Sequence, residues 1–377
     1  MLLCRRCLKR EFALSRTNRL VKKENEMGSV KDLEIVKKST KTKMGIGRFY
    51  FSDRYSVFDW GEMPDLIDKK GAALCVMGAY SFEKLQDNGV KTHYRGLVSS
   101  NEKIVTTDEL EKPVKVMEFN LVNLFQPKSY EKAGKLAYDY SVFTPHMTNF
   151  LVPLEVIYRN GLPEGSSIFK RLERGTTKLK DLGLDRYPKP GEKLVNPIFD
   201  VSTKLEKYDR YLTWYEAQRI SSLTDEEVAE TKKILLNVDS LITKVAARAS
   251  LVNEDGKIEL AMDNHRRLMV ADVVGTLDEC RFTYEKIHVS KEIARQFYKT
   301  TEWYRDLEES KNKSASKGTK EWKSLCKTEP PKLGTQLKSI ISNMYLAAAN
   351  EYTRLGLFDS PRLVDVIKEY NDYMLTK

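Results

Sequence analysis

The chain has 377 residues, room for two or three domains with a substantial core, and its 41% hydrophobic and 31% charged content is ordinary for a globular protein. The net charge of +10 is local, because residues 1–48 hold 14 Lys or Arg against 5 acids while the rest hold 50 against 49. That distribution argues against a broad basic face for nucleic acid, and the longest nearly apolar run, Gly71 to Tyr80, is about half the ~20 residues a membrane-spanning helix needs. No nucleic-acid or membrane partner is expected.

Residues 1–30 read as a basic, poorly ordered extension, without the apolar core and cleavage pattern of a secretory signal. Cysteines at 4, 7, 75, 280 and 326 point to reduced thiols and a cytoplasmic setting. Cys4-x-x-Cys7 lacks the second pair that a zinc site needs. Leu33 to Lys43 reads as a strand, Gly45-Ile46-Gly47 as a tight turn and Arg48 to Ser52 as the return strand. Lys41 and Lys43 then share one face. Such a hairpin, with free amides and two ammonium groups, suits a triphosphate, and an exposed lysine-rich edge strand explains the same pattern.

Ala72 to Leu85 has apolar positions at helical spacing and stops at Asp87-Asn88-Gly89, while Val90–Val98 and Val114–Leu124 read as strands of a mixed or antiparallel sheet. Leu154 to Arg159 is a strand, Asn160 to Glu164 a turn, and Gly165-Ser166-Ser167 a helix start. Unpaired amides make such a start an anion site over which Arg159 can close, although a plain Ser cap beside a surface Arg fits as well. Phe199 to Asp209 is a polar segment in a loop-rich region. Thr224-Asp225-Glu226-Glu227 is a capping box that opens a helix whose stripe from Val228 to Val245 is core.

The most informative stretch is Gly256 to Phe282, GKIELAMDNHRRLMVADVVGTLDECRF. Lys257, Glu259 and Ala261 alternate with Ile258, Leu260 and Met262, the period of a half-buried strand. With Asn264 and His265 at the tip, Lys257 lies opposite Asp272 and Glu259 opposite Val270, so both carboxylates share a face roughly 5 to 8 Å apart. Two carboxylates that close repel unless a cation lies between them, and Mg²⁺ is the usual partner of one or two carboxylates plus phosphates. A solvated charged face accounts for the pattern equally well. Beyond Phe282 come a helix from Lys291 to Asp306, a Lys/Ser-rich linker from Ser310 to Lys320, and a helix from Gln336 to Tyr352 with a docking face.

With these residues in place, the chain resembles the phosphoribosylaminoimidazole-succinocarboxamide (SAICAR) synthetase family. PLEVIYR followed by GSS is similar to the family's first signature, and DGKIELA at Asp255 to Ala261 to its second. ADVVGTLDECRF, DRYSVFDW with KKG, and STKLEKYD match further family segments in order. Thr40-Lys41 and Val273 depart from the family pattern.

The resemblance implies an α+β fold of two lobes with antiparallel sheets, an ATP cleft between them and a helical C-terminal extension. The parts are then 1–30, an ATP-binding lobe over 31–125, a catalytic lobe over 126–290 and a helical region over 291–377. It implies a ligase of purine biosynthesis that uses ATP and Mg²⁺ to join L-aspartate to the carboxylate of carboxyaminoimidazole ribonucleotide. Lys257, Asp278 and Arg281 would be catalytic. Lys41, Lys43, Glu259 and Asp272 would bind ATP, the last two holding Mg²⁺. Arg159, Ser166, Ser167, Lys204, Asp59 and Lys70 would bind substrate. A small-molecule kinase using the same cleft is the competing reading, and a homo-oligomer is compatible with either.

Overall fold

The computed structural model describes residues 30–132, 135–207, 209–317 and 322–376. Most of the basic extension, and with it Cys4-x-x-Cys7, lies outside the described residues. Short runs of alternating apolar and polar residues build two main sheets in which every paired strand is antiparallel. The first contains β1 (Lys31–Lys37), β2 (Gly45–Phe51), β3 (Tyr94–Val98), β4 (Ile104–Val105) and β5 (Val116–Leu121) in the order β1-β2-β5-β3-β4. A separate ribbon of β6 (Lys128–Lys132) and β7 (Lys135–Asp139) follows. The second sheet is built from β8 (Phe150–Leu162), β9 (Glu192–Thr203), β10 (Val252–Met262), β11 (Leu268–Ala271), β12 (Cys280–Tyr284) and β13 (Ile287–His288). Its order is β13-β12-β10-β8-β9, with β11 also paired to β10.

Among the described residues eight α-helices pack around the sheets: α1 (Lys70–Asp87), α2 (Ser167–Glu173), α3 (Trp214–Ser221), α4 (Asp225–Ala247), α5 (Glu292–Lys299), α6 (Glu302–Lys317), α7 (Thr335–Thr353) and α8 (Leu363–Leu375). Buried on nearly all sides, α1 reads as a core helix, and it packs against α4 and α7. Thr224 caps α4 by the expected reciprocal bonds with Glu227. The sheets are joined where His93 N donates to Val270 O and Val270 N to Lys91 O, each at 2.9 Å.

Several expectations change. Gly45 and Gly47 lie inside β2, and the chain reverses through Lys38 to Met44. A Cβ at Gly45 would sit 2.1 Å from the Lys37 carbonyl and one at Gly47 2.5 Å from the Phe119 ring, so these glycines serve close strand packing. β8 runs on through Asn160, Gly161 and Leu162, with a register shift between Arg159 and Gly161. The segment read as loop from Phe199 is the end of the long edge strand β9. The helix expected from Lys291 to Asp306 breaks between α5 and α6 at Thr300-Thr301, and the supposed linker is helical through Lys317. The α8 helix went unforeseen.

Candidate active site

Strand pairing places the charged side chains. In β10, Asp255, Lys257 and Glu259 alternate with Ile258 and Leu260, which face the main core. The register sets Arg159 against Asp255, Ile157 against Lys257 and Glu155 against Glu259. On the far side of β8, Asp200 faces Ile157 and Ser202 faces Glu155, and across β10 Arg281 faces Asp255. One sheet face thus carries acids and bases from four strands, whereas its other face is largely apolar.

Toward one end of that face lies a cavity of about 400 Å³, bounded among others by Arg159, Ser167, Lys257, Asp278 and Arg281. Arg159 is 3% exposed and reaches Asp255 at 3.2 Å, Asp200 at 3.3 Å, Tyr211 at 3.2 Å and Ser167 at 3.3 Å. Its buried Nε has no partner among the described residues, a donor that an arriving anion would satisfy. Arg281 holds both oxygens of Asp255. Asp278 is fixed from two sides, by Lys70 Nζ and by Tyr345 OH, each at 2.7 Å. Burial alone would raise its pKa, but Lys70 and Lys291 outweigh that and hold the carboxyl well below its usual range.

Toward the other end, Glu155 and Glu259 are cross-strand neighbours of like charge, which is unfavourable without cations between them. Lys204 Nζ lies 2.5 Å from Glu259 and 3.5 Å from Glu155. Lys257 Nζ lies 2.9 Å from Glu279, 3.3 Å from Glu155 and 3.6 Å from Glu259. Although burial disfavours its charge, Lys257 is raised well above the ordinary lysine value by these acids.

The hairpin register differs by one residue from expectation: Glu259 pairs with Ala271 and Leu260 with Val270, around a tip running from Asp263 to Arg267. The Asp263 carboxylate stabilises this longer tip by accepting from the amides of His265 and Arg267. A regular strand would then turn Asp272 toward the core with Val270. Instead β11 ends at Ala271, and Asp272 adopts a left-handed φ of 60°. Its carboxylate meets Lys31 Nζ of β1 at 2.5 Å, and its carbonyl is 3.0 Å from His93 Nε2. Asp272 still lies close enough to Glu259 for its charge to act on the Glu259 carboxyl. Burial and then Asp272 raise Glu259, whereas in Asp272 the effect of burial is overcome by Lys31, Lys257 and Lys204.

Among the described residues no group of three or more His, Cys, Asp or Glu side chains forms a metal cage. Two neighbouring carboxylates suit an ion that brings its remaining oxygen ligands with a phosphate, so the donor set fits Mg²⁺ arriving on a nucleotide. Lys41 and Lys43 stand exposed in the loop between β1 and β2 rather than on a strand face. That loop sits over the hairpin, because Met44 packs against Ala261, Met269 and Ala271, on the Glu259 face.

Not every expected residue reaches the cavity. Ser166 is buried and caps α2, so Ser167 is the hydroxyl at the wall, bonded to Tyr211 at 2.9 Å. Lys70 is fully buried behind Asp278 instead of facing a ligand. Asp59 is largely exposed and pairs with Lys311 at 3.3 Å, yet lies near enough to Asp209, a cavity residue, to help raise its pKa to about 6 after burial and Glu155. Glu155, Asp200, Tyr211, Asp255, Lys291 and Arg295 also belong to the site or its walls and were not singled out from the sequence. Period-2 alternation in β8 and β10 already placed Glu155 beside Arg159 and Asp255 beside Lys257.

The fold is shared with SAICAR synthetases of known structure. One from Saccharomyces cerevisiae, complexed with SAICAR, superposes with a TM-score of 0.57 over 87% of this chain and 94% of its own at 18% identity. Another, in complex with ADP, gives 0.52 over 82% of this chain and all of its own at 19% identity. The family model described as SAICAR synthetase matches residues 36–317. A protein of Archaeoglobus fulgidus provisionally named phosphoribosylaminoimidazole-succinocarboxamide synthase is 47% identical over 348 residues, 92% of this chain and 100% of its own. A synthase of that name from Thermoplasma acidophilum is 32% identical over 70% of this chain and 82% of its own. The chain belongs to the SAICAR synthetase family.

Proposed function

We propose that this chain joins L-aspartate to the carboxylate of carboxyaminoimidazole ribonucleotide at the expense of ATP, releasing SAICAR, ADP and phosphate in purine biosynthesis. The observation that carries the reading is the single sheet face on which Arg159, Asp255, Lys257, Glu259 and Arg281 converge. The names of the relatives and the SAICAR and ADP held by two structural neighbours support it.

A carboxylate resists attack by an amine until one of its oxygens becomes a leaving group, which phosphoryl transfer from ATP provides. Lys41 and Lys43 would cover the phosphate chain. Glu259 and Asp272 would hold Mg²⁺, which when bound neutralises phosphate charge. Arg159 and Ser167 would take the ribonucleotide's 5′-phosphate, with Ser166 shaping the turn beneath it. Lys257 and Arg281 would balance the carboxylate and the developing phosphoryl charge, while Asp278, fixed by Lys70 and Tyr345, would orient the imidazole amino group or the ribose. Lys204 would face a carboxylate of aspartate, and Asp59 would close the rim.

The lobes over 31–125 and 126–290, the helical region over 291–377 and a cytoplasmic location belong to the same reading. No helix among the described residues is long and apolar enough to cross a membrane. The test is ADP release by the purified chain with the carboxylated ribonucleotide, with and without aspartate. Release only when both are present supports the ligase. Release with the nucleotide alone, leaving a phosphorylated product, identifies a kinase and refutes the proposal.

A further inference from the structure

We infer that Asn149, a residue of the second lobe, is the positioning residue of the Lys41/Lys43 loop, holding its backbone so that it can face a polyphosphate. This rests on reading that loop as the phosphate cover.

Asn149 is fully buried and adopts a left-handed φ of 55°, a conformation asparagine tolerates better than most residues. Its side-chain amide donates to Thr40 O at 2.6 Å and to Lys43 O at 2.9 Å. Because both neighbours are carbonyls, only the NH₂ end can face them, and Oδ1 is left buried without a partner among the described residues. The residue therefore offers its two donors to the loop and gains no bond with its acceptor. Asn123 adds a third anchor, donating to Thr40 O at 2.8 Å while its Oδ1 accepts from Ser39 at 2.7 Å.

These bonds fix which way the loop points. Thr40 N and Lys43 N are spent inside it, on Lys43 O and Thr40 Oγ1. With the carbonyls of Thr40 and Lys43 turned inward, the amides of Lys41 and Thr42 have no partner among the described residues, and both lysines stand in solvent. A loop that presents amides and ammonium groups while hiding carbonyls attracts anions. Asn149 N in turn donates to Asp263 O at 2.9 Å, at the tip of the hairpin that carries Glu259. One residue, through its side chain and its backbone amide, thus ties the cationic loop to the tip of the carboxylate hairpin.

The test is calorimetric binding of ADP and of adenosine to the full chain, with melting recorded for each variant. Asn149→Gly keeps the backbone conformation and removes the donors, so ADP affinity should fall about tenfold, the equivalent of roughly two hydrogen bonds, with adenosine affinity unchanged. Asn123→Ala should show a smaller loss with the same selectivity, and it serves if the glycine variant fails to fold. Equal losses for ADP and adenosine, or ADP affinity within twofold of the parent, would overturn the assignment. If Lys41→Ala/Lys43→Ala leaves ADP binding intact, the phosphate-cover reading itself fails. If that double variant weakens ADP binding while neither asparagine variant does, the anchor alone is wrong.

Discussion

Tyr345 donates a 2.7 Å hydrogen bond to Asp278 across 67 residues of sequence, so a helix near the C-terminus sets the orientation of a cavity carboxylate. Tyr345→Phe leaves the ring in place and deletes the donor. Asp278 would keep Lys70 but lose part of what holds its carboxyl low, so its pKa should rise. Stability should drop by roughly 1.5 kcal/mol, typical of a hydrogen bond to a charged group. A denaturant melt of parent and variant checks the loss.

Glu259→Gln and Asp272→Asn should each cut aspartate-dependent ADP release by about two orders of magnitude or more. Glu259→Gln relieves the repulsion from Asp272, whereas Asp272→Asn gives up the ion pair with Lys31, so a melt of each variant accompanies the assay. Turnover near the parent's in both variants would remove the metal role.

The two serines at the start of α2 separate by assay. Ser166→Ala deletes a helix cap and should cost about 1 kcal/mol of stability, with KM for the ribonucleotide little changed. Ser167→Ala should raise that KM several-fold at nearly unchanged stability, since Ser167 stands at the wall beside Arg159.

His93 should confer a pH dependence on stability. Burial, with Lys31 nearby, pushes the imidazole down to about 4 against the pull of Asp272. Between the ordinary histidine value near 6.5 and about 4 the unfolded chain therefore binds the proton that the folded chain refuses. Stability should be full above about 6.5 and fall toward pH 4, by on the order of 3 kcal/mol from this residue. His93→Gln should flatten the slope of denaturant midpoint against pH in that window, whatever it does to absolute stability.

What the sequence made legible was whatever depends on local periodicity. Alternation placed Lys257 and Glu259 on one face, helical spacing found α1 and α4, and Thr224 announced its own cap. The α+β class and the family followed from motifs in order. The failures share a cause. Nothing local distinguishes a tip around Asn264-His265 from one spanning Asp263 to Arg267, so the register slipped by one. The role of Gly45 and Gly47 depends on Lys37 and Phe119, the latter on a distant strand, and the burial of Lys70 on Asp278, more than 200 residues away. Lys291 and Arg295 sit one helical turn apart, yet no periodicity says that α5 abuts the cavity.

The four residues of β11 act as a ruler. Because Leu268 pairs with Met262 and Asp272 follows Ala271 at once, the spacing between tip and carboxylate is counted in single peptide units. Homologues should therefore vary in length at the exposed His265 turn, whereas an insertion or deletion between Leu268 and Asp272 would swap the carboxylate's side of the ribbon and disarm the site.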